Sequence, residues 1–394
     1  MLIYIIYLLR VFSDSFENSY YSSIIGGLII LCAIYIFFKK KYKATFNNYY
    51  KPFVKFVVAY FLVNFLWILV SILRFGNILL LENIYQILRF AAIIGIIYLL
   101  SYYCARKNLN LKKLIELLTY IYLFISIISI ISVLNGSVKR AQWPHSHPNT
   151  LGTCFVIFLI YRIPSIKKFN SFEIFKIFLL FAGLLSTKSL SSFLILLVAL
   201  FIYFIKAKRK FIFISSLLII LLLINLFGLD TFIIERINNI SLNRDVIEYA
   251  GMGYINNSFE WRIYNWTLLI EEFLKKPLLG YGTLGWMIIN PLRSTLGFGF
   301  LPHNEFVGWL VQFGVIGSLV LLCFLINMLI KYYRKIRLYN YQSIFPFIII
   351  PFILAAIAGR TFVDPLNFYY FSLILFSERK IDNLNSPQVY SKNL

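Results

Sequence analysis

The chain has 394 residues, of which 60% are hydrophobic, 19% aromatic and only 14% charged. This excludes a soluble globular domain, whose apolar share is roughly 45–50%. A formal net charge of +22 would suit a nucleic-acid binder, but the lysines and arginines gather between alternate apolar runs, as in the cytoplasmic loops of membrane proteins. The charge reports topology, and no nucleic acid is expected as a partner.

Twelve apolar segments follow in chain order, near 2–13, 22–38, 53–73, 84–104, 113–134, 148–163, 172–187, 189–206, 211–228, 304–330, 342–359 and 366–377. A hydrocarbon core is roughly 30 Å thick, and about 20 residues of helix cross it. The first segment lacks the basic start and Ala-x-Ala site of a signal peptide, and reads as a short span or an interfacial helix. With the N-terminus inside, every basic cluster falls inside: Lys39, Lys40, Lys41 and Lys43; Arg106, Lys107, Lys112 and Lys113; Lys167 and Lys168; Lys206, Lys208, Arg209 and Lys210; Lys331, Arg334, Lys335 and Arg337. Cys32, Cys104, Cys154 and Cys323 show no metal-ligand spacing and read as small buried apolar residues. The fold class is therefore all-α, a polytopic membrane protein of about 12 transmembrane helices with one large external loop between spans 9 and 10. Its divisions are 1–228 (spans 1–9), 229–303 (the external loop) and 304–394 (spans 10–12 and a cytoplasmic tail).

The external loop contains "NSFEWRIYNWTLLIEEFLKKP". Asn257 and Glu260 have capping-box spacing and Pro277 is a stop, which predicts an amphipathic helix over 258–275 on the membrane surface. The following "GYGTLG" (280–285) matches G-x-G-x-x-G, but that fingerprint needs a strand before it and a helix after it in a βαβ unit. It reads instead as a tight turn ending the outer helix.

Polar residues near membrane depth are functional candidates by default. The expected outer face collects many: Lys139, Arg140, His145, His147 and Asn149 in "NGSVKRAQWPHSHPNTLG"; Lys188 in the hydroxyl-rich hairpin "LLSTKSLSSF"; Arg89 in the fourth span; Arg262 on the outer helix; His303 and Asn304 opening the tenth span; Arg360 closing the eleventh. Each alone is compatible with snorkelling to headgroups. Together, cations converging on one face suit a lipid-linked phosphate or diphosphate, which arginine grips with a planar fork. His145 and His147 stand two apart on a proline-flanked loop without a close carboxylate or cysteine, so no metal site is read there. Asp14 and Glu17 offer an acidic pair for a divalent cation, with a solvated turn as the plainer reading. No cofactor is expected.

The spacing His303-Asn304, nine residues, Gly314, two residues, Gly317 resembles the signature of the bacterial O-antigen ligase and O-antigen polymerase superfamily. "HPNTLG" (147–152) is similar to a segment of polysaccharide repeat-unit polymerases, and Arg262 with Trp266, before a Gly-x-Gly turn, matches the family's large external loop. The resemblance covers roughly 135–320. At the hydroxyl-rich hairpin the family usually has an arginine, where this chain has Lys188, a point charge without the fork. The resemblance implies a GT-C-like membrane glycosyltransferase of the cytoplasmic membrane, working on its outer face. The donor would be a glycan on undecaprenyl diphosphate. The acceptor would be another lipid-linked repeat unit for a polymerase, or a lipid core for a ligase. A protein O-oligosaccharyltransferase is a further alternative, and a lipid-linked glycan flippase or transporter is the rival of another class. Expected partners are the lipid-linked oligosaccharide, membrane lipids and a chain-length regulator protein.

A diphosphate leaves readily, yet its growing charge needs fixed cations. Arg140 and Arg262 are the first candidates for that task, with Lys188, Arg360 and Arg89 beside them. The acceptor hydroxyl needs a base that titrates near neutrality, which selects His303, with Glu305 as the alternative. Asn304, His147, Asn149 and Trp266 are candidates for orienting the base or binding substrate. An inverting, metal-independent displacement follows.

Overall fold

A computed structural model describes residues 2–13, 19–40, 50–105, 110–145, 147–165, 171–207, 258–292, 299–339, 345–356 and 365–377. The regular elements among them are all helices: α1 (Leu2–Ser13), α2 (Ser19–Lys40), α3 (Lys51–Phe75), α4 (Leu80–Ala105), α5 (Leu111–Leu134), α6 (Pro148–Ser165), α7 (Ser171–Ser186), α8 (Leu190–Ala207), α9 (Ser258–Lys275), the single turn α10 (Trp286–Ile289), α11 (Glu305–Tyr339), α12 (Phe345–Ala355) and α13 (Pro365–Ser377). Four of them are long and apolar enough to cross a membrane: α3, α4, α5 and residues 305–334 of α11. Shorter apolar helices cover Leu2–Phe12, Ile24–Lys39, Leu190–Ile202 and Leu366–Ser377. The ninth expected span, 211–228, lies outside the described residues, as do residues 229–257 of the external loop, Asp14, Glu17 and Arg360.

In lipid the apolar effect no longer draws helices together, so close packing and hydrogen bonds must do so. Glycine supplies the closeness. A Cβ on Gly183 of α7 would lie 2.4 Å from Ser126 Oγ of α5, and one on Gly95 of α4 would lie 3.0 Å from Ile29 of α2. Tyrosines supply the polar ties. Tyr122 of α5 shares a 2.8 Å hydroxyl contact with Tyr370 of α13, and Tyr7 of α1 donates to the Tyr369 carbonyl at 2.8 Å. Leu73 and Leu134, 85% and 72% exposed, belong to an outer surface that suits hydrocarbon.

One end of the α5–α6–α7 unit is closed by charge. Arg162 of α6 bridges Glu116 of α5 and Glu173 of α7, and Lys176 reaches the same two carboxylates at 2.8 Å each. Arg162 and Lys176 are buried, whereas the carboxylates remain partly exposed. Removing one partner strands the others. Arg162→Met is expected to lower stability by about 2–3 kcal/mol, below the figure for a fully buried pair because the carboxylates keep some solvent. Thermal unfolding in detergent checks this; an unchanged midpoint would show that the quartet does not hold the unit together.

α11 is broken, and the break positions the site. At Gly314 the backbone leaves helical geometry (φ 62°, ψ −169°). The amides of Val315 and Ile316, which in a continuous helix would bond to Val311 and Gln312, instead donate to the carbonyls of Pro277 and Leu278 at 2.8 and 3.2 Å. The freed carbonyls of Val311 and Gln312 accept from the amides of Tyr281 and Gly282, both at 2.8 Å. The two lost helix bonds are thus replaced by four to one loop. That loop is the glycine-rich stretch after α9, and it reaches α3 as well: Thr283 N donates to Trp67 O at 3.1 Å, Thr283 Oγ1 to Asn64 O at 2.8 Å, and Trp67 Nε1 to Leu279 O at 2.7 Å. Non-helical backbone is tolerated at membrane depth only when such partners satisfy it. "GYGTLG" is therefore more than a turn ending the outer helix.

Candidate functional site

The first turns of α11 set the depth of the site. Glu305 Oε1 accepts from Tyr60 Oη at 2.9 Å and from Trp309 Nε1 at 3.1 Å, whereas Phe313 packs edge-on against Trp67. Residues 305–313 therefore run in the same direction as α3. Tyr60 lies 15 residues before Phe75, about 22 Å at 1.5 Å per residue. His303 and Asn304, just ahead of Glu305, thus stand well inside the span of α3 and not at its Phe75 end. The amide of Glu305 donates to Ala356 O at 2.9 Å, so the end of α12 meets the same level.

The segment entering α11 is clamped by three side chains that the sequence did not single out for this task. Asn265 Nδ2 donates to Leu301 O (2.8 Å), Trp266 Nε1 to Pro302 O (2.6 Å), and Asn290 Nδ2 to Phe300 O (2.8 Å) and to Asn265 Oδ1 (2.7 Å). Asn265 and Asn290 are fully buried. Two isolated asparagines 25 residues apart give no pattern by which sequence reasoning would pair them. Trp266, expected near substrate, has its indole N–H committed to this clamp. The clamp delivers His303 in left-handed backbone geometry (φ 51°), its ring edge-on to Trp261 with centroids 5.4 Å apart. Sparsely populated backbone of this kind clusters at functional sites. Lys188 (φ 47°) shares it.

Asn304 is occupied. Its Oδ1 accepts from the amides of Phe306 (3.0 Å) and Val307 (3.1 Å), so it is the N-cap of α11 and that oxygen is engaged. Glu305, the alternative base, is buried with its carboxylate turned to Tyr60 and Trp309.

The other expected residues arrive from the loop after α5. Arg140 Nε donates to Thr187 O at 3.0 Å and its Nη2 to Asn149 Oδ1 at 3.3 Å, while Ala141 N donates to Ser186 O at 3.0 Å. Arg140 is thereby seated on the α7–α8 hairpin, next to Lys188. Asn149 N in turn donates to His147 Nδ1 at 3.1 Å. Ser192 Oγ of α8 ties this turn down at Asn149 O (3.2 Å), and a Cβ on Gly152 would sit 2.7 Å from that same hydroxyl. His145 is elsewhere: it is buried, with Nε2 3.1 Å from Tyr122 Oη.

His147 joins the two halves. Its partial burial, and then the positive charges of Arg140 and Arg262, hold it below the ordinary histidine range. Arg262 follows Trp261, the residue against His303. Arg140, Asn149 and His147 are thus joined by hydrogen bonds, Arg262 is near enough to act on His147 by its charge, and His303 lies against Trp261, the residue before Arg262. Arg89 is exposed on α4, a helix that packs against α2, α3 and α13. Chemically, the group offers two guanidinium ions, an ammonium and two imidazoles around segments held by backbone bonds.

Residues 175–322 match the family model described as O-antigen ligase, a match that supports the O-antigen ligase and polymerase superfamily. The matched range holds Lys188, Arg262, Trp266, His303 and the Gly314 break. No curated protein and no solved structure matches the chain.

Proposed function

We propose that the protein is a polymerase of bacterial surface polysaccharide: a GT-C-like glycosyltransferase that moves a glycan from undecaprenyl diphosphate to a hydroxyl of another lipid-linked repeat unit. The observation that carries this reading is the gathering of Arg140, Asn149, His147, Arg262 and His303, of which Arg262 and His303 fall within the residues that match the O-antigen ligase model. In the proposed reaction His303 removes the acceptor hydroxyl proton. That oxygen attacks the anomeric carbon, the bond to the diphosphate breaks with inversion, and the leaving oxygens gain charge against Arg140 and Arg262, with Lys188 adding a point charge. Fixed charges already in place avoid reorganisation during the reaction. Asn265, Trp266, Asn290 and Asn304 hold the base without touching substrate. The site works on the outer face of the cytoplasmic membrane.

The matched family's own description, O-antigen ligase, favours transfer to a lipid core as the second reading. Genetics separates the two. Loss of a polymerase leaves single repeat units on the acceptor; loss of a ligase leaves polymer stranded on the carrier lipid.

The test of the site is the pair Arg140→Ala and Arg262→Ala. Each is expected to slow glycan transfer from a synthetic lipid diphosphate by about 10²–10³-fold, the usual loss for one electrostatic contact to a developing charge. Lysine at either position is expected to recover only part of the rate. Either alanine variant transferring at the wild-type rate, with its unfolding midpoint unchanged, would remove that residue from the mechanism.

A further inference from the structure

His147 has a second identity as the N-cap of α6. Its carbonyl accepts from the amides of Thr150 and Leu151 at 3.1 and 3.3 Å, and its ring Nδ1 accepts from the amide of Asn149 at 3.1 Å. A ring nitrogen that accepts a backbone N–H has its lone pair engaged and carries no proton. The one proton of a neutral imidazole then sits on Nε2. Protonating Nδ1 would set two donors against each other and place a cation at the positive end of α6.

The charged groups facing the ring act the same way. Arg140 comes from the α5–α6 loop and Arg262 from α9, both positive and both disfavouring a third charge. The α7–α8 hairpin adds Lys188 beside the Thr187 carbonyl on which Arg140 rests. Helix cap and neighbouring cations therefore agree.

We infer that His147 is a fixed neutral donor, its Nε2–H presented to an oxygen of an anionic diphosphate shared with Arg140 and Arg262, and its tautomer set by the cap of α6. The identity of the ligand rests on the glycan-transfer reading above; the tautomer does not. His147 is thereby separated from His303. One histidine is locked as a donor, and the other is the proposed base.

The test uses the purified full chain with ¹⁵N-labelled histidine in phospholipid vesicles, read by solid-state NMR. Three histidines are present, and His147→Asn assigns the signal. His147 is expected to remain the neutral Nε2–H tautomer down to pH 5.5, where a free imidazole would be about nine-tenths protonated. An ordinary titration, or an Nδ1–H tautomer, overturns the assignment. Inorganic pyrophosphate is then added and is expected to move the Nε2 signal; no movement overturns the donor role. Asparagine is itself a preferred N-cap, so His147→Asn keeps the cap and removes the donor. It is expected to unfold at the wild-type midpoint and to bind pyrophosphate about 10–100-fold more weakly, the loss of one hydrogen bond to a charged group. Wild-type binding by this variant also overturns the proposal. Absence of glycan transfer with tautomer and pyrophosphate response intact would overturn the transferase reading and leave this inference standing.

Discussion

Replacing His303 with alanine is expected to lower polymer formation by about 10²–10⁴-fold, the range contributed by a positioned general base, while the protein still folds. The side chain is only half-buried and lies edge-on to Trp261 outside the main apolar core. A second variant separates chemistry from structure. With φ at 51°, this position strains any side chain with a Cβ, and glycine adopts such backbone freely. His303→Gly should therefore unfold no earlier than the wild type and still be inactive. The readout is the surface-polysaccharide ladder in cells that depend on this protein, beside the unfolding midpoint of the purified chain. A ladder of wild-type length and amount from either variant would show that the base lies elsewhere, with Glu305 the next to replace.

Gly314→Ala is expected to be the most damaging small substitution in the described part of the chain. An added Cβ would lie 2.3 Å from Leu278 O and 2.6 Å from Gly280 N, and these are backbone atoms that cannot swing aside. The pair φ 62°, ψ −169° belongs to a region that is essentially glycine-only. The penalty is not confined to one contact, because Leu278 O is also an acceptor in one of the four bonds that replace the broken turn of α11. A loss of at least about 4 kcal/mol is expected, in the range reserved for backbone strain and buried unsatisfied groups. Gly76→Ala is the matched control. It too has positive φ (60°, with ψ −136°), but an added Cβ there meets nothing within 4 Å, so only the backbone strain applies, roughly 1–3 kcal/mol. Thermal unfolding of both variants in detergent decides. If Gly314→Ala is no worse than Gly76→Ala, the loop does not fix the break.

The expected segments and the observed helices coincide closely wherever both exist. The segment 53–73 is α3 at Lys51–Phe75, and 113–134 is α5 at Leu111–Leu134. Runs of apolar residues are legible because a membrane helix must satisfy its own backbone and cover it with hydrocarbon along its whole length. Helix starts carry local signals too: Asn110 caps α5 by accepting from Lys113 N, and Pro52 stands in the first turn of α3. The signal weakened where one residue type serves two tasks. Asn304 beside His303 looks like a ligand, yet an asparagine just ahead of a helix is also what an N-cap looks like, and its Oδ1 does cap α11 here.

The sequence by itself determined that the chain is an all-helical membrane protein and which polar residues stand apart from its apolar body. Composition and spacing suffice for both, since lipid penalises every exposed polar group wherever it falls. Only the tertiary structure decided what those groups do together. It joined Arg140 to the hairpin of Lys188, brought Arg262 to His147, and set His303 well inside the span of α3 behind a clamp of Asn265, Trp266 and Asn290. It also turned "GYGTLG" into the partner of a broken helix, and four charges from α5, α6 and α7 into a single quartet. The physical reason is common to all of these. Each depends on contacts between residues far apart in the chain, whose pairing follows from helix packing and leaves no local pattern.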